Sequence, residues 1–419
     1  MRKFPVRFQL VLATFSLTLL LYIDRVAISA AKSEIGTDLS LDDAQLGWVM
    51  SAFALGYALF QVPSGILNDR LGPRRIITLI VSIWSLFTFL TGMVKNFVSL
   101  IIIRFLFGGG EAGAFPGISR ATFSWIPLQE RGIVTGINFS GSRLGAAFAF
   151  PMVTWLILTF GWRSSFYILG AVGVIWAVLW YFWFRDLPEE HPSVSQNEKD
   201  FILAHRQEKA ESPGKLSVGR ILGSKNMLLM MGQYFGSNFI FFFCLTWMFP
   251  YLRERFEVDA YQASVYAMFP LICGAFGNWF SGWLVDYIYK KGQWKWSRAI
   301  PAIIGFSLVG IGIIGILSVE EVLLAVIFLS LAVFGADMTL SPSWSFCVDV
   351  GKSHAGTVAG TMNMAGNIGS FITGIAFPYL IIWTGTSDTF FIISGILVIL
   401  SIIAWLNVDP SNPIEHEKA

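Results

Sequence analysis

Twelve long apolar stretches are the feature of this 419-residue chain that most restricts its fold. A helix needs about 20 mainly apolar residues to cross roughly 30 Å of hydrocarbon. Only 13% of the residues are charged, against about 25% in soluble domains. The sequence therefore predicts an all-α, multi-pass membrane protein with twelve transmembrane helices. These predicted spans, numbered 1 to 12, are 8–31, 45–67, 76–94, 98–120, 133–158, 165–184, 227–252, 262–286, 299–318, 321–347, 356–384 and 389–408.

The distribution of charge predicts the orientation of these spans. Their even number puts both termini on one side of the membrane, and most of the 29 Lys and Arg residues fall on that side. The positive-inside rule then predicts cytoplasmic termini. The net charge of +2 leaves no basic stripe for a nucleic acid. The three cysteines lie far apart in apolar runs, so we expect neither disulfides nor a bound metal.

One polar segment, residues 185–226, interrupts the series of spans and is rich in both charges. The sequence predicts an N-terminal six-helix bundle at 1–184, a cytoplasmic linker at 185–226, and a C-terminal six-helix bundle with a short tail at 227–419. Within the linker, Ser195 followed by Glu198 predicts the capped start of a short helix that ends near Ala210.

A short motif marks the same point of both halves. Gly65-x-x-x-Asp69 ends span 2 and Gly282-x-x-x-Asp286 ends span 8, which indicates a repeated six-helix unit and two pseudo-symmetric bundles. The first copy resembles the hallmark of the major facilitator superfamily, through Gly65, Asp69, Arg70, Gly72, Arg74 and Arg75. The resemblance implies the major facilitator fold. We predict that Asp69, Arg70 and Asp286 belong to a cytoplasmic gate; the alternative is that they only set topology.

Further blocks resemble the anion:cation symporter family, which includes bacterial hexuronate, glucarate and galactonate transporters. They are Tyr22–Arg25, Arg104–Pro116, Gly161–Phe166, Arg185–Pro192 and Gly356–Asn367. The resemblance implies proton-coupled anion transport. It also implies that Arg25 holds a substrate carboxylate, while Asp24 and Glu111 couple protons.

Ionisable residues inside spans predict the functional site independently, because each costs about 2.5–3.5 kcal/mol to insert on translocon scales. The N-terminal half holds five of the six, with three arginines against two carboxylates, so we expect it to attract an anion. Protonation of Asp24 or Glu111 would strengthen that attraction. Helical spacing favours Asp24 and Arg104 as partners. The six are Asp24, Arg25, Arg104, Glu111, Arg143 and Asp337.

Arg143 departs from the neutral polar residue that we expect in this family. It could bind a second acidic group of the substrate, or it could pair with Asp337. Neutral side chains would contact the rest of the substrate, although any of them could instead pack helices. The predicted contacts are Tyr22, Tyr57, Gln61, Ser341, Ser343, Trp344, Asn363 and Asn367.

These features together predict a proton-coupled organic-anion symporter that works by alternating access on a hexuronate, aldonate or aldarate. Alternatives are sodium- or phosphate-linked exchange, or a transport-inactive sensor of the same fold. An enzyme is not expected, since the chain has no GxSxG, no HExxH and no histidine in a span. We expect no cofactor beyond the proton gradient, a bacterial inner-membrane location and a monomer whose partners are the anion, protons and lipid.

Overall fold

The helices of the chain are seen in a computed structural model, which describes residues 4–206, 216–258, 260–412 and 414. In the first half of the chain they are α1 Val6–Ala30, α2 Lys32–Leu39, α3 Asp43–Leu71, α4 Pro73–Thr91, α5 Phe97–Glu111, α6 Ala114–Trp125, α7 Arg131–Phe160, α8 Trp162–Trp183 and α9 Gln196–His205. The second half contributes α10 Val218–Gly223, α11 Lys225–Thr246, α12 Met248–Arg255, α13 Ala260–Lys290, α14 Trp294–Ser318, α15 Val322–Met338, α16 Leu340–Gly351, α17 Ala355–Thr384 and α18 Asp388–Asn407.

The predicted membrane spans reappear among these helices. In the described part of the chain, 11 helical stretches are long and apolar enough to cross a membrane. One of them, Val322–Thr384, has 63 residues, so as a single rod it would be about 95 Å long. A tight turn at Lys352–His354 divides it, and it therefore contains both span 10 and span 11. The prediction of an all-α, multi-pass membrane protein is confirmed.

Three spans that the sequence predicts as continuous are broken near their middle or last third. Span 4 divides after Glu111, span 7 after Thr246 and span 10 after Met338. In each case a proline follows, at Pro116, Pro250 and Pro342, and its missing N–H cannot bond the carbonyl four residues earlier. The breaks lie at those carbonyls. Other prolines, among them Pro63, Pro270 and Pro301, stand inside continuous helices, so a proline alone does not impose a break.

The described residues pack as two compact units. Unit 1 comprises the described residues of 1–128, 144–214 and 351–364, and unit 2 those of 129–143, 215–350 and 365–419. The first part of α7 therefore packs within unit 2, and the first part of α17 within unit 1. The division into bundles at 1–184 and 227–419 stays a prediction.

In unit 1, the motif carboxylate of Asp69 caps the N-terminus of α17. Its two oxygens accept hydrogen bonds from the backbone N–H of Gly356 at 3.0 Å and of Thr357 at 2.7 Å. Glycines make this approach possible, because a Cβ on Gly65 would overlap the Gly356 carbonyl. Gly72 of the same motif has φ 82°, and a side chain there would overlap Asp186.

In unit 2, the second copy of the motif makes the same contact. Asp286 accepts the N–H groups of Gly132 and Ile133, each at 2.8 Å, at the N-terminus of α7. A Cβ on Gly282 would lie 2.6 Å from the Gly132 carbonyl oxygen. Both motif carboxylates thus stand at the positive end of a helix dipole. A guanidinium also lies near the first carboxylate, since Arg120 Nε is 3.9 Å from Asp69 Oδ1, whereas Arg70 is exposed.

A fully buried ion network joins three helix ends in unit 2. The Asp349 carboxylate accepts from Arg131 Nη1 at 2.9 Å, from Arg298 Nε at 2.9 Å and from Trp294 Nε1 at 3.1 Å. The side chains of all three charged residues are 0% exposed. One carboxylate therefore accepts hydrogen bonds from two guanidiniums, on α7 and α14, a role that the sequence did not reveal because all three residues lie at predicted span ends.

The linker holds the start of α1 in place. Ser195 caps α9, as predicted, by accepting from the Glu198 N–H at 3.3 Å. The Glu198 carboxylate accepts the N–H groups of Val6 at 3.0 Å and Arg7 at 2.9 Å. It therefore caps the first turn of α1. Helix α9 ends at His205, earlier than the predicted end near Ala210. The centre of the linker, including Ala210, and the last residues of the tail lie outside the described residues.

We predict that Gly356→Val destabilises the protein, because the added Cβ would lie 2.8 Å from Asp69 Oδ1 and disturb the cap. Overpacking of this kind costs about 1–3 kcal/mol. Gly395→Val is the matched control, since a Cβ there meets nothing within 4 Å. Thermal unfolding in detergent should show a lower Tm for the first variant only. Equal melting temperatures for the two variants would contradict the close packing described here.

Asp349→Asn should also lower Tm, because it removes the carboxylate that accepts hydrogen bonds from the buried Arg131 and Arg298. Breaking a buried ion pair in this way costs about 3–5 kcal/mol. Asp38→Asn breaks a 2.8 Å ion pair with Arg163 whose side chains are 45% and 35% exposed, and should cost about 0–1 kcal/mol. A Tm for Asp349→Asn as high as that of Asp38→Asn would refute a structural role for the network.

Candidate functional site

The site in unit 1 is built around an ion pair between α1 and α5. Arg25 Nε donates to Glu111 Oε2 at 2.7 Å. The Glu111 side chain is fully buried, whereas 17% of the Arg25 side chain remains accessible. The sequence placed both residues in the site but paired Asp24 with Arg104. The structure therefore shows a different pairing, in which the predicted anion clamp is held by a predicted coupling carboxylate.

Aromatic rings surround the guanidinium of Arg25. Its Cζ lies 4.9 Å from the ring centroid of Tyr22, 5.0 Å from that of Phe53 and 4.4 Å from that of Tyr57. Phe53 also lies 5.2 Å from the Arg104 guanidinium, so one ring serves two arginines. Such contacts attract a guanidinium to the electron-rich ring faces. The sequence reading missed Phe53, although it stands one turn before the predicted Tyr57 on α3.

Asp24 points away from this pair, because neighbouring residues on a helix project about 100° apart. It is 1% exposed and faces Trp84 and Thr88 of α4, within electrostatic reach of Glu111 and Arg104. Neither carboxylate oxygen has a hydrogen-bond partner among the described residues. The predicted hydrogen-bonded pairing with Arg104 therefore does not form, and Asp24 stays a predicted coupling residue.

Several other buried polar atoms of unit 1 also have no hydrogen-bond partner in the described chain. They include Arg25 Nη2, Glu111 Oε1 and both amide atoms of Gln61, a residue that is 0% exposed. Buried polar groups without a partner are rare in proteins and cluster where function requires them. These atoms could bind a polar ligand or, in the case of the carboxylate, a proton.

The predicted contacts on α16 already use their donors within unit 2. The Ser341 hydroxyl donates to the Gly132 carbonyl at 2.7 Å. The Ser343 hydroxyl donates to the Thr339 carbonyl at 2.6 Å and accepts from Gln233 Nε2 at 3.1 Å. Trp344 Nε1 donates to the Tyr234 hydroxyl at 2.7 Å. These bonds pack helices together. Substrate binding by Ser341, Ser343 and Trp344 stays a prediction, and so does the gate role of the motif residues.

Two predicted amides lie on α17. Asn363 is 5% exposed and belongs to unit 1. Asn367 is half-buried, one turn later, and belongs to unit 2. Their predicted contacts with substrate hydroxyls, like those of Tyr22, Tyr57 and Gln61, stay predictions.

Arg143 and Asp337 meet in unit 2. Arg143 Nε donates to Asp337 Oδ2 at 2.6 Å, and an Arg143 amino group bonds the other carboxylate oxygen. The ring of Phe241 lies 3.7 Å from the guanidinium. Of the two alternatives for Arg143, the structure shows the pairing. Within the described residues, no group of three or more His, Cys, Asp or Glu side chains could hold a metal ion.

Relatives of the chain are transporters. Residues 14–374 match the family model of the Major Facilitator Superfamily. The chain is 34% identical over 390 residues to the probable sulfoacetate transporter SauU of Cupriavidus necator, covering 93% of this chain and 90% of the relative. It is 33% identical over 394 residues to the hexuronate transporter of Bacillus subtilis, covering 91% and 90%.

Solved structures share the fold at lower identity. The proton:xylose symporter XylE matches with a TM-score of 0.75 at 15% identity, over 96% of each chain. The human organic anion transporter MFSD10 matches with a TM-score of 0.72 at 13% identity, over 96% of this chain and 100% of the other. From the matched family model, the relatives and the shared fold, we conclude that this chain belongs to the Major Facilitator Superfamily and is a multi-pass membrane transporter, not an enzyme.

Proposed function

We propose that this transporter is a proton-coupled symporter that imports a sugar acid, such as a hexuronate, aldonate or aldarate, by alternating access. The observation that carries the proposal is the Arg25–Glu111 pair, in which an anion-binding group is held by a buried carboxylate. Relatives named as hexuronate, galactarate/D-glucarate and D-galactonate transporters support the substrate class.

Arg25 would provide the anion site. A guanidinium can donate two parallel hydrogen bonds to one carboxylate, a bidentate geometry that a lysine ammonium cannot form. The rings of Tyr22, Phe53 and Tyr57 fix the plane of that guanidinium. Nη2 has no partner in the described chain, and 17% of the side chain is accessible. A substrate carboxylate can therefore bind Arg25 once Glu111 releases it.

Glu111 would couple this binding to a proton. A protonated Glu111 no longer attracts Arg25, so proton uptake frees the guanidinium for the substrate. Conversely, a bound substrate anion favours the protonated form, because the two equilibria are linked and reciprocal. Asp24 lies within electrostatic reach of Glu111, and two neighbouring carboxylates resist being ionised together. Asp24 would therefore share the coupling.

Import would follow from the proton gradient. Proton and substrate would bind from outside and leave together into the cytoplasm, after which the Arg25–Glu111 pair re-forms. We expect the capping bonds of Asp69 and Asp286 to break and re-form during this cycle, as a cytoplasmic gate. The proposal includes a bacterial inner-membrane location, cytoplasmic termini, a monomer and no cofactor.

Glu111→Gln should abolish proton-driven accumulation but retain exchange of substrate for substrate, because the neutral amide mimics the protonated acid and leaves Arg25 free. Thermal shift with hexuronates, aldonates and aldarates identifies the compound to use. Uptake is then measured in proteoliposomes with and without a pH gradient. The control is Glu34→Gln, at an exposed position of α2. Undiminished proton-driven accumulation by Glu111→Gln would refute the coupling, and accumulation that follows sodium would favour the sodium-linked alternative.

Arg25→Lys should weaken binding of the same compound at least tenfold, or about 1.4 kcal/mol. The charge is retained, but the forked hydrogen bonds and the stacking on Tyr57 are lost. Calorimetric titration of the purified protein measures Kd. Arg255→Lys, where the side chain is 34% exposed, is the control and should bind as wild type does. Binding by Arg25→Lys within twofold of wild type would exclude Arg25 as the anion site.

A further inference from the structure

Helix α4 carries a buried polar face beside Asp24. The side chains of Trp84, Ser85 and Thr88 are 0%, 0% and 2% exposed. Residues three and four apart are neighbours on a helix surface, so Thr88 lies next to both of the others. Asp24 of α1 faces the Trp84 indole and the Thr88 hydroxyl. All four residues belong to unit 1.

Two hydrogen-bond donors on this face, the Trp84 indole N–H and the Thr88 hydroxyl, are called the α4 donors below. In the described chain, both donor atoms are buried without a hydrogen-bond partner, and so are both carboxylate oxygens of Asp24. A threonine inside a helix can donate to the carbonyl one turn earlier, and Thr91 does so, to the Phe87 carbonyl at 2.8 Å. The Thr88 hydroxyl does not, so it stays available to the carboxylate that it faces.

Close packing against α8 holds α4 in this orientation. A Cβ on Gly170 would lie 2.7 Å from the Ser85 carbonyl oxygen, and a Cβ on Gly173 would overlap the Ser85 hydroxyl. Glycines at these two positions of α8 therefore let the helices approach closely. A rotation of α4 about its axis would disturb these contacts, so the packing keeps the α4 donors directed toward Asp24.

The charged surroundings of Asp24 do not supply hydrogen bonds for its ionised form. Among the described residues, the charged groups that face it from other helices are Glu111 and Arg104 of α5, and neither of them bonds its oxygens. Arg25, its neighbour on α1, donates to Glu111. An ionised carboxylate at bilayer depth needs donors in place of water. The α4 donors are groups of that kind.

We propose that Trp84 and Thr88 are positioning residues for proton coupling, whose N–H and O–H groups donate to the Asp24 carboxylate when it loses its proton. This inference rests on the proposed function and deepens it, because it assigns the groups that set the proton affinity of Asp24. When the proton leaves for the cytoplasm, both donors turn onto the carboxylate and stabilise its charge inside the membrane. When Asp24 takes a new proton it becomes a neutral acid and releases them. The donors keep their own hydrogens throughout.

Infrared spectroscopy of the substrate-free, full-length protein tests this assignment, because the C=O stretch of a carboxylic acid disappears on ionisation. Glu111→Gln is the background, which keeps the neighbouring site neutral, and the band that is lost on adding Asp24→Asn belongs to Asp24. Removal of a donor disfavours the charged form. Thr88→Val and Trp84→Phe should therefore each move the midpoint of this band about one unit to higher pH, a tenfold change in proton affinity.

Thr88→Ser retains a hydroxyl and should retain the midpoint of the background protein. Matched controls are Thr91→Val, whose hydroxyl donates within its own helix, and Trp180→Phe, at a buried tryptophan of α8. Neither control should move the midpoint. An unmoved midpoint in the double variant Trp84→Phe with Thr88→Val, or an equal shift in the controls, would overturn the inference.

Proteoliposome uptake of the hexuronate, aldonate or aldarate selected by thermal shift connects the donors to transport. With Glu111 intact, Trp84→Phe and Thr88→Val should slow proton-driven uptake at neutral internal pH by up to about tenfold, and a higher internal pH should restore it, because Asp24 then releases its proton. An unmoved infrared midpoint with normal wild-type uptake overturns this inference and leaves the proposed function intact. If the wild type shows no proton-driven uptake of these compounds, the proposed function fails and the coupling role of the donors fails with it.

Discussion

Hydrocarbon does not solvate charge, and most of the arrangement described here follows from the need to satisfy buried charges within the protein. Buried carboxylates pair with several of the buried arginines. Glu111 pairs with Arg25, Asp337 pairs with Arg143, and Asp349 pairs with both Arg131 and Arg298. These side-chain bonds link α1 to α5, α7 to α15, and both α7 and α14 to α16. The transport chemistry that we propose uses the first of them, since the Glu111 carboxylate can release the Arg25 guanidinium by taking a proton.

Two buried carboxylates, Glu111 and Asp337, lie next to helix breaks. Proline removes one backbone hydrogen bond, and in spans 4 and 10 the helix divides at the carbonyl left without its donor. Glu111 and Asp337 stand in the last turn before these breaks.

Glycine determines where backbones approach closely enough for a carboxylate to cap another helix. Asp69 and Asp286 each accept hydrogen bonds from two backbone N–H groups at a helix start. Glycines lie beside these contacts, and a Cβ added to them would overlap the neighbouring backbone. Such bonds are strong enough to hold a helix end. At Asp286 the donors are backbone N–H groups, whereas Asp69 also accepts a hydrogen bond from the Thr357 hydroxyl.

The sequence by itself determined the twelve spans, their repeat and the six ionisable residues within them, because an apolar run and a charge inside it are local properties of the chain. It also identified Arg25 and Glu111, although as separate groups. Only the tertiary structure decided the partners. Glu111 accepts a hydrogen bond from Arg25, and Asp69 accepts hydrogen bonds from the N–H groups of α17. The Asp24 carboxylate has no hydrogen-bond partner in the described chain. Arg143 and Asp337 are 194 residues apart in sequence. Which of two adjacent side chains reaches a partner depends on the helix face that packs inward, and sequence spacing does not specify that face.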